Sequence, residues 1–163
     1  MSERKYFFLS GLSRSGSTLL GSLLNQNPEF YVSPTSPLMD MYCIMGESLQ
    51  KFKSNYTYDY DAVDTNLQEK LIDNFYENRR EKYIIDKHRG WPRNVNNVRK
   101  FIGEPKIVCT YRPVEEVIVS FIKLCDKDPQ NVVDNTLKQH GKPITNDNRA
   151  KGLWETLVYE VYD

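Results

Sequence analysis

The stretch that most constrains the fold is FFLSGLSRSGSTLLGSLLNQNP, Phe7 to Pro28, close to the N-terminus. An apolar run, Tyr6 to Ser10, stops at Gly11; small and hydroxylated residues follow with one arginine among them, and a leucine-rich segment begins. A short apolar run without alternation, bounded by glycine, predicts a strand buried on both faces. Leu19, Leu20, Leu23 and Leu24 predict one apolar face of a helix over about Ser15 to Gln26, which Asn27-Pro28 stops.

Strands and helices continue to alternate along the chain. Phe30 to Val32 reads as a short strand, followed by the turn-rich SPTSP. Leu38, Met41, Tyr42, Met45, Leu49 and Phe52 repeat with helical spacing from Pro37 to about Lys53. A further helix is predicted over Ala62 to Arg80, with Val63, Leu67, Leu71, Ile72 and Phe75 on its face. KYIIDK (82–87) and KIVCTY (106–111) read as strands, with Val95, Val98, Phe101 and Ile102 on a helix between them. Pro113 opens a helix whose stripe is Val114, Val117, Ile118, Phe121, Ile122 and Cys125. Two more helices are predicted near Asn131 to Gln139 and Asn146 to Tyr162, the last carrying Leu153, Trp154, Leu157, Val158 and Val161. The pattern predicts one α/β domain over 1–163, three-layer α/β/α with a mainly parallel sheet. Ligands of such folds bind beyond the carboxyl ends of the strands. Three strand ends therefore matter: Ser10-Gly11, Asp86-Lys87-His88 and Tyr111-Arg112.

The chain has 163 residues, with 22 basic against 22 acidic, so nothing global favours nucleic acid or an anionic membrane as partner. A basic site has to be local. Cys43, Cys109 and Cys125 fall in periodic apolar segments without metal-ligand spacing, which predicts buried free thiols in a reducing, cytoplasmic setting. The apolar run after Arg4 and Lys5 is too short for a secretion signal, and no segment approaches a membrane span.

GLSRSGST matches G-x-x-x-x-G but offers Ser17-Thr18 where the Walker motif has Lys-Ser/Thr. Backbone N–H groups at the start of the following helix suit an oxyanion, and Arg14 supplies a cationic fork inside the loop. A nucleoside triphosphatase needs the missing lysine and a magnesium ligand. Arginine, hydroxyls and amides without a metal fit a smaller load, a phosphosulfate. Arg112 and Ser120, eight residues apart at a strand end and in the next helix, are candidates for clamping a second phosphate.

Together, GLSRSGSTLLGSLL and the Arg112/Ser120 pair resemble the sulfotransferases that use 3′-phosphoadenosine 5′-phosphosulfate (PAPS), P-loop nucleotide-kinase-like folds. The loop is most similar to the tyrosylprotein and carbohydrate branches, where arginine replaces the lysine of the cytosolic branch. The resemblance covers about residues 6–36 and 82–125. It implies that Ser13, Arg14, Ser15, Gly16, Ser17 and Thr18 hold the 5′-phosphosulfate and that Arg112 and Ser120 hold the 3′-phosphate. No metal is called for. Arg14, Lys87 and His88 become the catalytic candidates: Lys87 for charge on the leaving oxygen, His88 as the base for an acceptor hydroxyl or amine.

The match departs from the family in two places. The tyrosylprotein branch has a glutamate base after the first helix, where this chain has VSPTSP. Family members are also usually longer, with further contacts to the 3′-phosphate and adenine; this sequence stops at WETLVYEVYD. A fragment, a truncated product and a minimal relative completed by homo-oligomerisation all fit that length. Two rival functions stay open, a PAPS- or PAP-binding module without turnover, and a P-loop kinase or NTPase with Asp86 as its magnesium ligand. The acceptor is open among sugars, peptides, lipids and small metabolites. Tyr56, Tyr58 and Tyr60 are candidates for stacking on it, beside a plain packing role.

Overall fold

A computed structural model describes residues 4–52 and 60–162, apart from the side chains at 50, 52, 60–65, 69, 97, 100, 101 and 158–162. Tyr56 and Tyr58 lie outside the described residues, as do the side chains of Tyr60, Phe52, Val63, Phe101, Val158 and Val161. The elements in chain order are β1 (Lys5–Gly11), α1 (Ser17–Leu24), β2 (Phe30–Thr35), α2 (Leu38–Phe52), α3 (Tyr60–Phe75), β3 (Tyr83–Lys87), α4 (Val95–Ile102), β4 (Ile107–Thr110), α5 (Val114–Cys125), α6 (Val132–Gln139) and α7 (Asn146–Tyr162). They fall into two compact units, Met1–Gly11 with Ser17–Cys109, and Leu12–Gly16 with Thr110–Asp163.

The first unit is built on a four-stranded sheet in the order β2-β3-β1-β4. β1 pairs parallel with β3 from Lys5↔Tyr83 to Leu9↔Lys87, and β2 pairs parallel with β3's other side. The β2 register shifts between Val32 and Thr35. Pro34 sits in that interval, on an edge strand where its missing N–H is tolerated. Parallel pairing brings the carboxyl ends of β1, β2 and β3 to one end of the sheet.

Phe8, Leu9 and Ser10 are all buried, as expected of a strand covered on both faces. One face, through Phe8 and Ile84, packs with Leu38, Met39, Tyr42, Ile72, Tyr76, Trp91 and Val98 from the α2, α3 and α4 regions. The other, through Leu9, Val32 and Ile85, packs against Leu20 and Leu24 of α1. Gly21 lets α1 come close: a Cβ there would lie 3.2 Å from Val32 Cγ1.

Several apolar residues do not go where the sequence places them. Leu19 and Leu23 are 66% and 54% exposed, so only half of the leucine face meets the sheet. Met41 and Trp154 are exposed too. Cys109 is exposed in the edge strand β4 and Cys43 is half-buried, leaving Cys125 as the buried thiol.

In the second unit, Val117 and Ile118 of α5 pack with Leu153 and Leu157 of α7, flanked by Leu12, Val114, Phe121 and Ile122. Arg149 donates to both oxygens of Asp134 at 2.6 Å and to Asp126 at 2.8 Å. Asn131 caps α6, accepting from the Asp134 N–H at 2.8 Å while donating to its carboxylate at 2.9 Å. The Arg149 hydrogen bonds hold the Asp134 carboxyl down at about 2. Among the described residues no helix is long and apolar enough to cross a membrane.

Candidate functional site

The nominated residues divide between the units: Ser13, Arg14, Ser15, Gly16, Arg112 and Ser120 in the second, Ser17, Thr18, Lys87 and His88 in the first. In the second unit the loop backbone turns sharply. Arg14 adopts φ 68° and Gly16 φ 99°. A left-handed conformation costs a non-glycine residue about 1–2 kcal/mol. Space is not what requires glycine at 16, since a Cβ would meet nothing within 4 Å. The backbone angle is.

The Arg14 Nε donates to Ser120 Oγ at 3.1 Å, and the Arg112 Nη1 donates to the Arg14 carbonyl at 3.1 Å. Three residues drawn from two distant stretches thus form one bonded cluster. Ser15 Oγ joins Thr110 Oγ1 at 2.7 Å, and the Ser15 N–H closes a turn onto the Leu12 carbonyl at 3.1 Å. Arg112 also makes an i,i+4 surface ion pair: its Nε donates to Glu116 Oε2 at 3.0 Å. A cavity of about 330 Å³ runs along this face of α5, lined by Arg112, Glu115, Glu116, Val119, Ser120 and Lys123. Cationic forks, a hydroxyl and a strained loop suit an oxyanion with two or three acceptor oxygens.

In the first unit, Lys87 ends β3 with its N–H on Ser33 Oγ at 2.8 Å and its Nζ on Thr18 Oγ1 at 3.1 Å. The Ser36 N–H donates to the Lys87 carbonyl at 3.0 Å, which ties the residues after β2 to the same strand end. Lys87 and Thr18, chosen from separate motifs, therefore meet. Ser13 and Ser17 are half-buried.

His88 is held differently from a free base. The Gly90 N–H donates to its Nδ1 at 3.0 Å, so in the neutral ring Nε2 carries the hydrogen. That Nε2 lies 3.5 Å from Asp40 Oδ1, a contact in ion-pair range. Gly90 allows the approach, because a Cβ there would sit 3.1 Å from Nδ1. The lone pair a base would use is thus taken by the backbone. Asp40, in the first turn of α2 and 64% exposed, is the carboxylate beside it. Sequence reasoning looked for a carboxylate within VSPTSP and missed Asp40 just beyond.

Asp86, the magnesium ligand of the kinase alternative, is fully buried. Its Oδ2 accepts from the Tyr76 hydroxyl at 2.5 Å and its Oδ1 from Trp91 Nε1 at 2.8 Å. Burial pushes its carboxyl up, while bonds from Ser36, Tyr76 and Trp91 oppose the shift. Both oxygens serve the core beside Trp91.

Compared with models of protein families, the chain matches the sulfotransferase family over residues 7–154, a span that contains every nominated residue. The chain belongs to the sulfotransferase family. No curated protein matches it. Sulfotransferase membership agrees with the α/β architecture and its mainly parallel four-stranded sheet. The matched span also includes the Asp134–Arg149 pair, to which the sequence reading assigned nothing.

Proposed function

We propose that this sulfotransferase-family chain binds PAPS and moves its sulfuryl group to an acceptor hydroxyl or amine. The observation that carries the reading is the cluster in which Arg112 holds the Arg14 carbonyl and Arg14 holds Ser120. The residues fit the group by their donor chemistry: two guanidinium forks, hydroxyls and loop amides match phosphate and sulfate oxygens without a metal. Bound PAPS supplies the activated sulfuryl group.

Ser13 to Thr18 hold the 5′-phosphosulfate in this reading, and Arg112 and Ser120 hold the 3′-phosphate. Lys87 places its ammonium, already on the Thr18 hydroxyl, to stabilise charge on the leaving oxygen. His88 acts with Asp40: the ring's Nε2–H orients the carboxylate, whose exposed oxygens accept the acceptor's proton. Such contacts are often long without substrate and tighten in the reacting complex.

The test is PAP release from PAPS, without added metal, over a panel of phenol, sugar and amine acceptors. Release that falls at least ~100-fold in both Lys87→Ala and Asp40→Asn supports the reading, in line with general-acid–base contributions. PAP binding with no transfer to any acceptor would favour the binding module instead.

A further inference from the structure

We infer that Glu116 is a built-in counter-anion of Arg112, which a ligand must displace and which thereby selects a 3′-phosphate over weaker anions. This rests on the PAPS reading of Arg112 and Ser120.

Two of the donors on Arg112 are engaged within the second unit, its Nε by Glu116 Oε2 at 3.0 Å and its Nη1 by the Arg14 carbonyl at 3.1 Å. The Ser120 hydroxyl accepts from Arg14 Nε at 3.1 Å. The clamp is therefore partly occupied by the chain's own groups. Glu116 lies one helical turn beyond Arg112, in the first turn of α5, where the helix dipole favours an anion. It also lines the same cavity as Arg112 and Ser120. Any anion that reaches the guanidinium from that cavity comes up against the carboxylate.

Charge decides the competition. The Arg112–Glu116 pair is partly exposed, with the two side chains 37% and 59% accessible, so it is weak and displaceable. A phosphate near neutral pH carries close to two negative charges and accepts from guanidinium and hydroxyl together, which a single carboxylate does not match. A nucleotide without a 3′-phosphate has nothing to offer Arg112, and Glu116 stays in place. The pair sets a small penalty on any anion at Arg112, which a well-placed, doubly charged phosphate offsets best.

Calorimetric titration of PAP and of adenosine 5′-phosphate, without metal and at fixed ionic strength, tests this in the wild type, Glu116→Gln and Glu115→Gln. Glu115 lines the same cavity and serves as the charge control. Removing the repulsion in Glu116→Gln is expected to tighten PAP about 3- to 10-fold. Adenosine 5′-phosphate should change less than about twofold, and Glu115→Gln should gain less than Glu116→Gln. If Glu116→Gln does not fold, Glu116→Ala carries the same expectation. Unchanged or weaker PAP binding, an equal gain for adenosine 5′-phosphate, or an equal gain in Glu115→Gln overturns the inference and leaves the PAPS reading standing. PAP binding that appears only in Glu116→Gln supports both. No PAP binding by wild type or any variant removes the PAPS reading, and the inference with it.

Discussion

Arg14 and Ser120 lie 106 positions apart and are joined by a 3.1 Å hydrogen bond from Nε to Oγ. Because Arg112 holds the Arg14 carbonyl, the loop arginine is fixed at both its backbone and its side chain. Residues that share a network couple in double-mutant cycles, by about 0.5–3 kcal/mol. Arg14→Ala and Ser120→Ala are expected to weaken PAP binding together by less than the sum of their single effects. Calorimetry on the two single variants and the double variant measures this; strict additivity would mean that the bond does not shape the site.

Asp86→Asn should fold, because the amide oxygen still accepts from Trp91 and the amide nitrogen can donate to the Tyr76 hydroxyl. Asp86→Ala removes the acceptor of the buried Tyr76 and Trp91 donors, and of Ser36, and should cost about 1–3 kcal/mol for each donor left without a partner. Chemical denaturation separates the two. A kinase dependent on Asp86 for magnesium would instead lose nucleotide binding in Asp86→Asn while keeping its stability.

Acid should weaken the second unit through Asp134. Its folded value of about 2 lies below its ordinary 3.8, so the native state binds the proton less readily than the unfolded chain. The Asp134 contribution is complete above that ordinary value and fades as pH falls toward 2. Asp86 works in the opposite sense: its raised carboxyl favours the protonated form, and its contribution shrinks as pH rises through its folded value. Denaturation midpoints between these values should fall more gently with acid in Asp134→Asn than in the wild type. Arg149→Ala, which strands a buried carboxylate, should cost about 3–5 kcal/mol at neutral pH.

Gly16→Ala tests the loop backbone. The added methyl meets no atom within 4 Å, but φ is 99°. A loss of about 1 kcal/mol is expected, from strain alone. An unchanged melting temperature in Gly16→Ala would mean that the loop relaxes to a different conformation.

The parts of the fold legible in the sequence are those where periodicity and punctuation agree. β1 is bounded by Gly11, and α5 carries an unbroken apolar stripe after Pro113. Spacing alone says little about Arg112 and Ser120; the resemblance to the sulfotransferase 3′-phosphate motif pairs them, and Arg14 bonds to each, through its carbonyl and its Nε. Leu19 and Leu23 misled because a leucine-rich helix has more apolar surface than the sheet face beneath it can cover. Cys109 misled because an apolar strand reads as buried whether it is central or, like β4, at the edge. The sequence assigns nothing to Arg149 and Asp134, and only the packing of α6 with α7 makes them a buried pair. The contact between Asp40 and His88 depends on how the turns after β2 and β3 are folded, which no spacing rule encodes.

The central claim, a metal-independent bisphosphate site, is tested most directly by thermal stabilisation with PAP beside ATP with and without magnesium. A ligand at 100 times its dissociation constant adds about 2.7 kcal/mol. A shift with PAP that needs no metal and is lost in both Arg14→Ala and Arg112→Ala is the predicted result. A shift with magnesium-ATP and none with PAP would contradict it.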